Sequence, residues 1–119
     1  MTDFQTQFID RFYQNMVKAD SDKLLSAFTE QGIKDIILGM ATYLVKNVQG
    51  MKVPSQEIID DFKSLGWIKK IIVKKYVGQA LNAINKPATL ASVFTDGLIA
   101  TVVSSSVSDI DQLKKDFGV

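Results

Sequence analysis

Apolar residues recur every three to four positions along most of this chain, and the rows they form are helical. Phe4, Phe8, Phe12 and Met16 stand four apart, with Ile9, Tyr13 and Val17 as a second row beside them. At 100° per residue both rows fall on one face of an amphipathic helix. Thr2 or Asp3 is placed to accept from the free N–H groups of its first turn. Ala19-Asp20-Ser21-Asp22 predicts a break and a fresh cap, followed by a short stripe of Leu24, Leu25 and Phe28. The next row is Ile33, Ile36, Ile37, Met40, Leu44 and Val48, and its start has two readings. Either Gly32-Ile33 closes the short helix and Asp35 caps the next, or Thr29 caps one helix that contains Gly32. Gly50 ends it in both.

Val53-Pro54-Ser55 punctuates the chain, because proline disfavours helical geometry in the residue before it and Ser55 is a good cap. Ile58, Ile59, Phe62 and Leu65 follow at helical spacing, and Gly66-Trp67 reads as a second glycine-plus-apolar stop. A helix is expected over Trp67–Lys86, although Ile71, Ile72 and Val73 are β-branched and together cost it roughly 1 kcal/mol relative to alanine. Beyond Pro87 two structures compete. Asp96-Gly97 has the composition of a two-residue hairpin loop, whereas Leu90, Phe94, Leu98 and Val102 make a helical row over about 89–104. Helix is favoured, since a lone hairpin is marginal and no other segment offers a third strand. Ser108 with Asp111 resembles a capping box that opens a last helix carrying Ile110, Leu113 and Phe117, with Gly118 as its stop.

These elements predict an all-α fold, a compact bundle of five or six helices, with an α+β variant as the alternative if Asp96-Gly97 turns a hairpin. At 119 residues and 46% apolar the chain can bury roughly two thirds of its unfolded surface, so one domain over 1–119 is expected. No internal repeat or linker divides it. The most apolar window, Leu90 to Val107, contains Asp96, Gly97 and several hydroxyls without basic anchors, so no transmembrane segment is expected. Met1-Thr2-Asp3-Phe4-Gln5 lacks the charge pattern of a secretory signal, and the expected location is cytoplasmic.

Candidate chemistry is sparse. The absence of cysteine removes disulfides, thiolate metal sites and a cysteine nucleophile, and the absence of histidine removes the commonest general base and metal ligand. Asp60-Asp61 diverge by about 100° on a helix and read as solvated surface. Asp20-Ser21-Asp22 and Asp109-Ile110-Asp111 look like the start of a calcium loop but lack its glycine and distal glutamate, and both fall where helix caps are expected. The glycines are too dispersed for a phosphate-binding loop. A serine–lysine dyad is the one nucleophilic arrangement left open. No catalytic residue, cofactor or metal site is assigned, and the chain is expected not to be an enzyme.

Charge is uneven. Residues 1–61 carry nine acids and six bases, residues 62–95 six lysines and no acid, and residues 96–119 four acids and two lysines. The 63–86 lysine segment is therefore the compositional pointer to a partner. Around its helix Lys69, Lys70, Lys74 and Lys75 spread over about 240°; Ile68, Ile72 and Tyr76 occupy a lysine-free arc, and Val73, Val77, Ala80 and Ile84 another. Such a helix either lies centrally or meets another chain. Trp67 reads first as core, but a lone tryptophan is also a frequent interface anchor. The candidate partner-binding residues are Trp67, Lys69, Lys70, Lys74 and Lys75. Three functions follow in order: a non-enzymatic protein-interaction module, self-association included; a nucleic-acid or anionic-surface binder using Lys63, Lys69, Lys70, Lys74 and Lys75, disfavoured because the only arginine is Arg11; and a helical carrier of an apolar ligand.

Overall fold

A computed structural model of the chain describes residues 2–47 and 53–117. Within them the fold is an all-α bundle: α1 Asp3–Ala27, α2 Glu30–Asn47, α3 Ser55–Lys63, α4 Trp67–Ala83, a 3₁₀ turn Ala88–Leu90, α5 Ala91–Ser104 and α6 Val107–Asp116. The hairpin alternative falls, because Asp96 and Gly97 lie inside α5.

The starts of α1, α2 and α6 follow from local hydrogen bonding, whereas α3, α4 and α5 have no side-chain cap. Ser55, expected to cap α3, is its first helical residue after Pro54. Thr2 and Gln5 exchange bonds at the head of α1, the Gln5 N–H donating to Thr2 Oγ1 and the Thr2 N–H to Gln5 Oε1. At α2 the choice left open by sequence resolves to Thr29, whose Oγ1 accepts from the Gly32 N–H at 3.0 Å, so Gly32 sits within the first turn. The expected break at 19–22 does not occur, since α1 runs on to Ala27. Aspartate and serine in a helix interior cost only about half a kcal/mol each, too little to stop a long helix held by its flanking turns. The side chains of Leu24 and Leu25, and the stops expected at Gly50 and Gly118, lie outside the described residues. Gly66 is not a left-handed stop either. Its φ is −71°, and it is the residue before the first turn of α4. The left-handed C-terminal position belongs instead to Asn85 (φ 60°), just after α4, where the Lys86 N–H returns to the Leu81 carbonyl.

The expected capping box on α6 stands two residues earlier than its sequence reading. Ser106 and Asp109 have the same spacing as Ser108 and Asp111, and they form the reciprocal pair. Asp111 is used elsewhere, accepting a bond from Ser55 Oγ that ties the head of α3 to α6.

The main core joins α1, α2, α4 and α5. Phe8, Phe12, Met16, Ile33, Ile37, Met40, Val77, Leu81 and Phe94 are all buried in it. A smaller cluster of Ile59, Val102 and Ile110 joins α3, α5 and α6, and Leu98 packs against both. The tightest approach is between α1 and α5. A Cβ added at Gly97 would lie 2.4 Å from Met16 Cγ and 3.1 Å from a Phe12 ring carbon, so glycine is required for this packing. Polar groups close the same seam, with Asn15 Nδ2 donating to Thr101 Oγ1 at 3.0 Å and Arg11 reaching Ser105 and Asp109 at 3.5 Å.

Candidate docking surface

Helix α4 changes character along its length. Its buried residues are Val77, Gly78, Ala80 and Leu81, all in the second half, where it packs against α2, α5 and the 3₁₀ turn. Ahead of them, Trp67 is 72% exposed, Ile68 59%, Ile71 55%, Ile72 49% and Tyr76 57%. Val77, Ala80 and Leu81 define a core-facing arc of about 100°, and the five exposed side chains fill about 180° on the opposite side. They recur as 67/68, 71/72 and 76, a ridge about 15 Å long. Together they leave on the order of 500 Å² of apolar surface bare, near the upper end for a monomer, and patches of that size mark binding sites.

This corrects the core reading of Trp67. It is the first residue of α4, two turns before the helix meets its neighbours. Its candidacy as a partner-binding residue stands on that exposure. Sequence reasoning did not name Ile68, Ile71, Ile72 and Tyr76 as partner-binding residues; from the two apolar arcs of α4 it left open whether the helix lies centrally or meets another chain, and a peripheral helix can bury only one of them.

The lysines are divided around the ridge. Lys69 Nζ pairs with Asp61 Oδ1 of α3 at 3.1 Å, both groups being exposed. Lys70 and Lys74 share a shallow hollow with Ser92, Thr95 and Asp96 of α5. Lys74 and Lys75 border a second one, floored by Gly78, Ala88 and Ala91. Lys63 ends α3 and does not join either hollow. The five lysines therefore do not converge on one surface, and carboxylates stand beside Lys69 and Lys70.

An apolar cleft of about 590 Å³ opens beside the ridge, lined by Tyr43, Leu44 and Asn47 of α2, Phe62 of α3, Val73, Tyr76, Val77 and Gln79 of α4, and Leu98 of α5. Tyr76 belongs to both ridge and cleft. The volume is in the range of small-molecule and side-chain pockets.

Elsewhere many polar groups have structural partners, whereas the buried Thr95 Oγ1 has none among the described residues. Lys34 bridges Asp10 (2.8 Å) and Glu30 (3.0 Å) and lies 5.3 Å from the Tyr13 ring centre; its bonds to Asp10 and then Glu30 raise its pKa above the usual lysine value. Asp109 is held below the ordinary carboxylate range, first by the Ser106 backbone N–H, with the Ser106 hydroxyl and Arg11 adding to it against a smaller opposing effect of burial. Ser55 bonds Asp111, Ser64 the Asp61 carbonyl, and Ser104 and Ser105 the Thr101 carbonyl. Asp60 accepts from Gln56 while Asp61 pairs with Lys69, as divergent surface groups do. Among the described residues no three acidic, histidine or cysteine side chains are grouped to hold a metal ion, and no helix is long and apolar enough to cross a membrane.

Comparison of the chain with family models, with curated proteins and with solved structures finds no match.

Proposed function

We propose that this protein is a non-enzymatic, cytoplasmic protein-interaction module that docks its partner on the outward face of α4. One observation carries the reading: Trp67, Ile68, Ile71, Ile72 and Tyr76 stand largely in solvent on a single helix face. The isoleucines are about half exposed, so keeping them there forgoes half of the roughly 1.5–3 kcal/mol that full burial of each is worth, and a partner that covers the ridge recovers it. Trp67 and Tyr76 at its two ends are the residue types that anchor interfaces. A photo-crosslinking side chain placed at Ile72 in the native cell tests this, with a second placed at Asp35 on α2 as the control. The expected result is one partner captured from Ile72, not from Asp35, and lost when Ile68 and Ile71 are both changed to serine. Equal capture from both positions, or indifference to the serine changes, would refute the reading.

The cleft beside Tyr76 supports a second reading, a carrier of an apolar ligand. Recovery of a stoichiometric small molecule from native protein by mass spectrometry, released by Phe62→Trp filling of the cleft, would favour it. Nucleic-acid binding has less support, since Asp61 pairs with Lys69 and Asp96 lies beside Lys70 and Lys74.

A further inference from the structure

We infer that the occupant of the α4 ridge is an acidic amphipathic helix of another protein, one that lays an apolar seam along Trp67, Ile68, Ile71 and Ile72 with carboxylates on its flanks. The inference rests on the docking reading and adds the chemistry of the partner.

Three features of the surface select this occupant. First, α4 offers mainly side chains. Beyond its first turn, whose N–H groups have no side-chain cap, its backbone is bonded within the helix, and the described residues contain no sheet edge that an extended peptide could join. The ridge is formed by side chains four residues apart, the spacing that packs into the grooves of a second helix, and its length of about 15 Å corresponds to about three turns.

Second, the charges that α4 itself carries around the ridge have one sign, with Asp61 of α3 and Asp96 of α5 lying beside Lys69 and Lys70. Lys70 and Lys74 stand on one flank, about 40° apart, Lys69 on the other, and Lys75 at the end of the seam between Trp67 and Tyr76. The segment 62–95 has no acid of its own. Lys70, Lys74 and Lys75 make no ion pair with any described residue, so their ammonium groups are available to a partner's carboxylates. A second copy packed α4 against α4 about a twofold axis would instead bring these lysines toward their own mates, which is repulsive.

Third, the ridge continues through Tyr76 into the cleft lined by Leu44, Phe62 and Leu98. A side chain from a partner helix reaches into such a recess; a planar lipid surface does not. A net charge of only +1 also gives little attraction to an anionic bilayer, which acts over the protein's whole face.

The test is selection from a displayed library of helical 18-residue peptides. Leucine is fixed along one face, and the flanking positions sample Glu, Lys and Gln equally. Trp67, the only tryptophan, reports binding of each selected peptide by a blue shift of its emission. Enrichment of glutamate at the flanks is expected, with at least tenfold tighter binding than the matched lysine peptide and loss of binding in the Ile68→Ser, Ile72→Ser protein. In the Lys70→Glu, Lys74→Glu protein the preference should reverse toward the lysine peptide. Those flank changes lie in solvent, and a thermal melt matching the parent protein establishes that the variant is folded. Selected peptides that need Ile68 and Ile72 but carry glutamine or lysine would leave the docking face standing and overturn the acidic occupant. No α4-dependent enrichment at all would overturn both. A blue shift on vesicles of phosphatidylcholine with 30% phosphatidylserine, without any from the peptides, would assign the ridge to a lipid surface. Dimerisation by sedimentation, lost in the Ile68→Ser, Ile72→Ser protein, would assign it to a second copy.

Discussion

Helices α1 and α4 are built from similar amounts of apolar side chain and use it in opposite ways. The rows of α1 converge on one face, and Phe8, Ile9, Phe12, Tyr13 and Met16 are all buried against α2 and α5. Those of α4 diverge into two arcs, of which Val77, Ala80 and Leu81 reach the core while Trp67, Ile68, Ile71 and Ile72 face water. The difference teaches that apolar content alone does not locate a core. A helix with one stripe has one way to satisfy it, whereas a helix with two, lying at the edge of a bundle, must leave one for something else.

The comparison breaks most visibly under truncation. Phe12→Ala should destabilise by about 3–5 kcal/mol, the range for a buried aromatic ring. Ile72→Ala on the outer face of α4 should stay within about 0.5 kcal/mol of the parent protein. Chemical denaturation measures both, and comparable losses at the two positions would mean that the outer face is packed.

A second contrast sets two glycines against each other. At Gly97 an added methyl meets Met16 Cγ at a distance that forces a shift and the Phe12 ring at a tight one, so Gly97→Ala should cost about 1–3 kcal/mol of overpacking against about 1 kcal/mol gained in helix propensity. At Gly78 the nearest atoms are Ala91 Cβ at 3.7 Å and Ala88 Cβ at 3.8 Å, ordinary contacts, so Gly78→Ala should stabilise by about 0.5–1 kcal/mol. Opposite signs in thermal melts are the expected outcome.

The capping box of α6, which Arg11 of α1 reaches, gives a pH-dependent effect. Asp109, bonded by Ser106 and Arg11, has a folded pKa below its unfolded value. Its contribution is therefore fully present above the unfolded pKa and is lost as pH falls through the folded one. Asp109→Asn should cost about 1 kcal/mol at neutral pH, as loss of a capping group does, and the gap to the parent protein should close in strong acid. Equal denaturation midpoints at pH 7 would contradict the role of the capping box. Smaller still is the expected effect of Lys70→Glu with Lys74→Glu, which should move stability by no more than about 0.5 kcal/mol and leave nucleic-acid affinity weak, with a shallow salt slope.

Much of the fold was legible because the rows are long. The α1 rows and the Leu90, Phe94, Leu98, Val102 row of α5 identify their helices, and in α5 the row outweighs the turn chemistry of Asp96-Gly97 because that glycine serves the approach of α1. Local punctuation was less secure. Thr29 and Gly32 offered equivalent starts for α2, Ser106/Asp109 and Ser108/Asp111 have the same spacing, and only the reach of Ser55 toward Asp111 separates the latter pair in space. The docking surface was half legible. Sequence singled out Trp67 and the lysines by composition, but the outward direction of Ile68, Ile71, Ile72 and Tyr76 depends on where α4 meets α2 and α5, and that contact begins only at the half-buried Val73.

Trp67 offers the most direct measurement of the central claim, because it is the sole tryptophan and heads the exposed ridge. Emission and acrylamide quenching of the isolated protein should be read over a dilution series. A water-exposed indole, readily quenched and independent of protein concentration, is the expected result; a blue-shifted emission shielded from quencher at every concentration would place Trp67 in the protein's own core and contradict the docking surface.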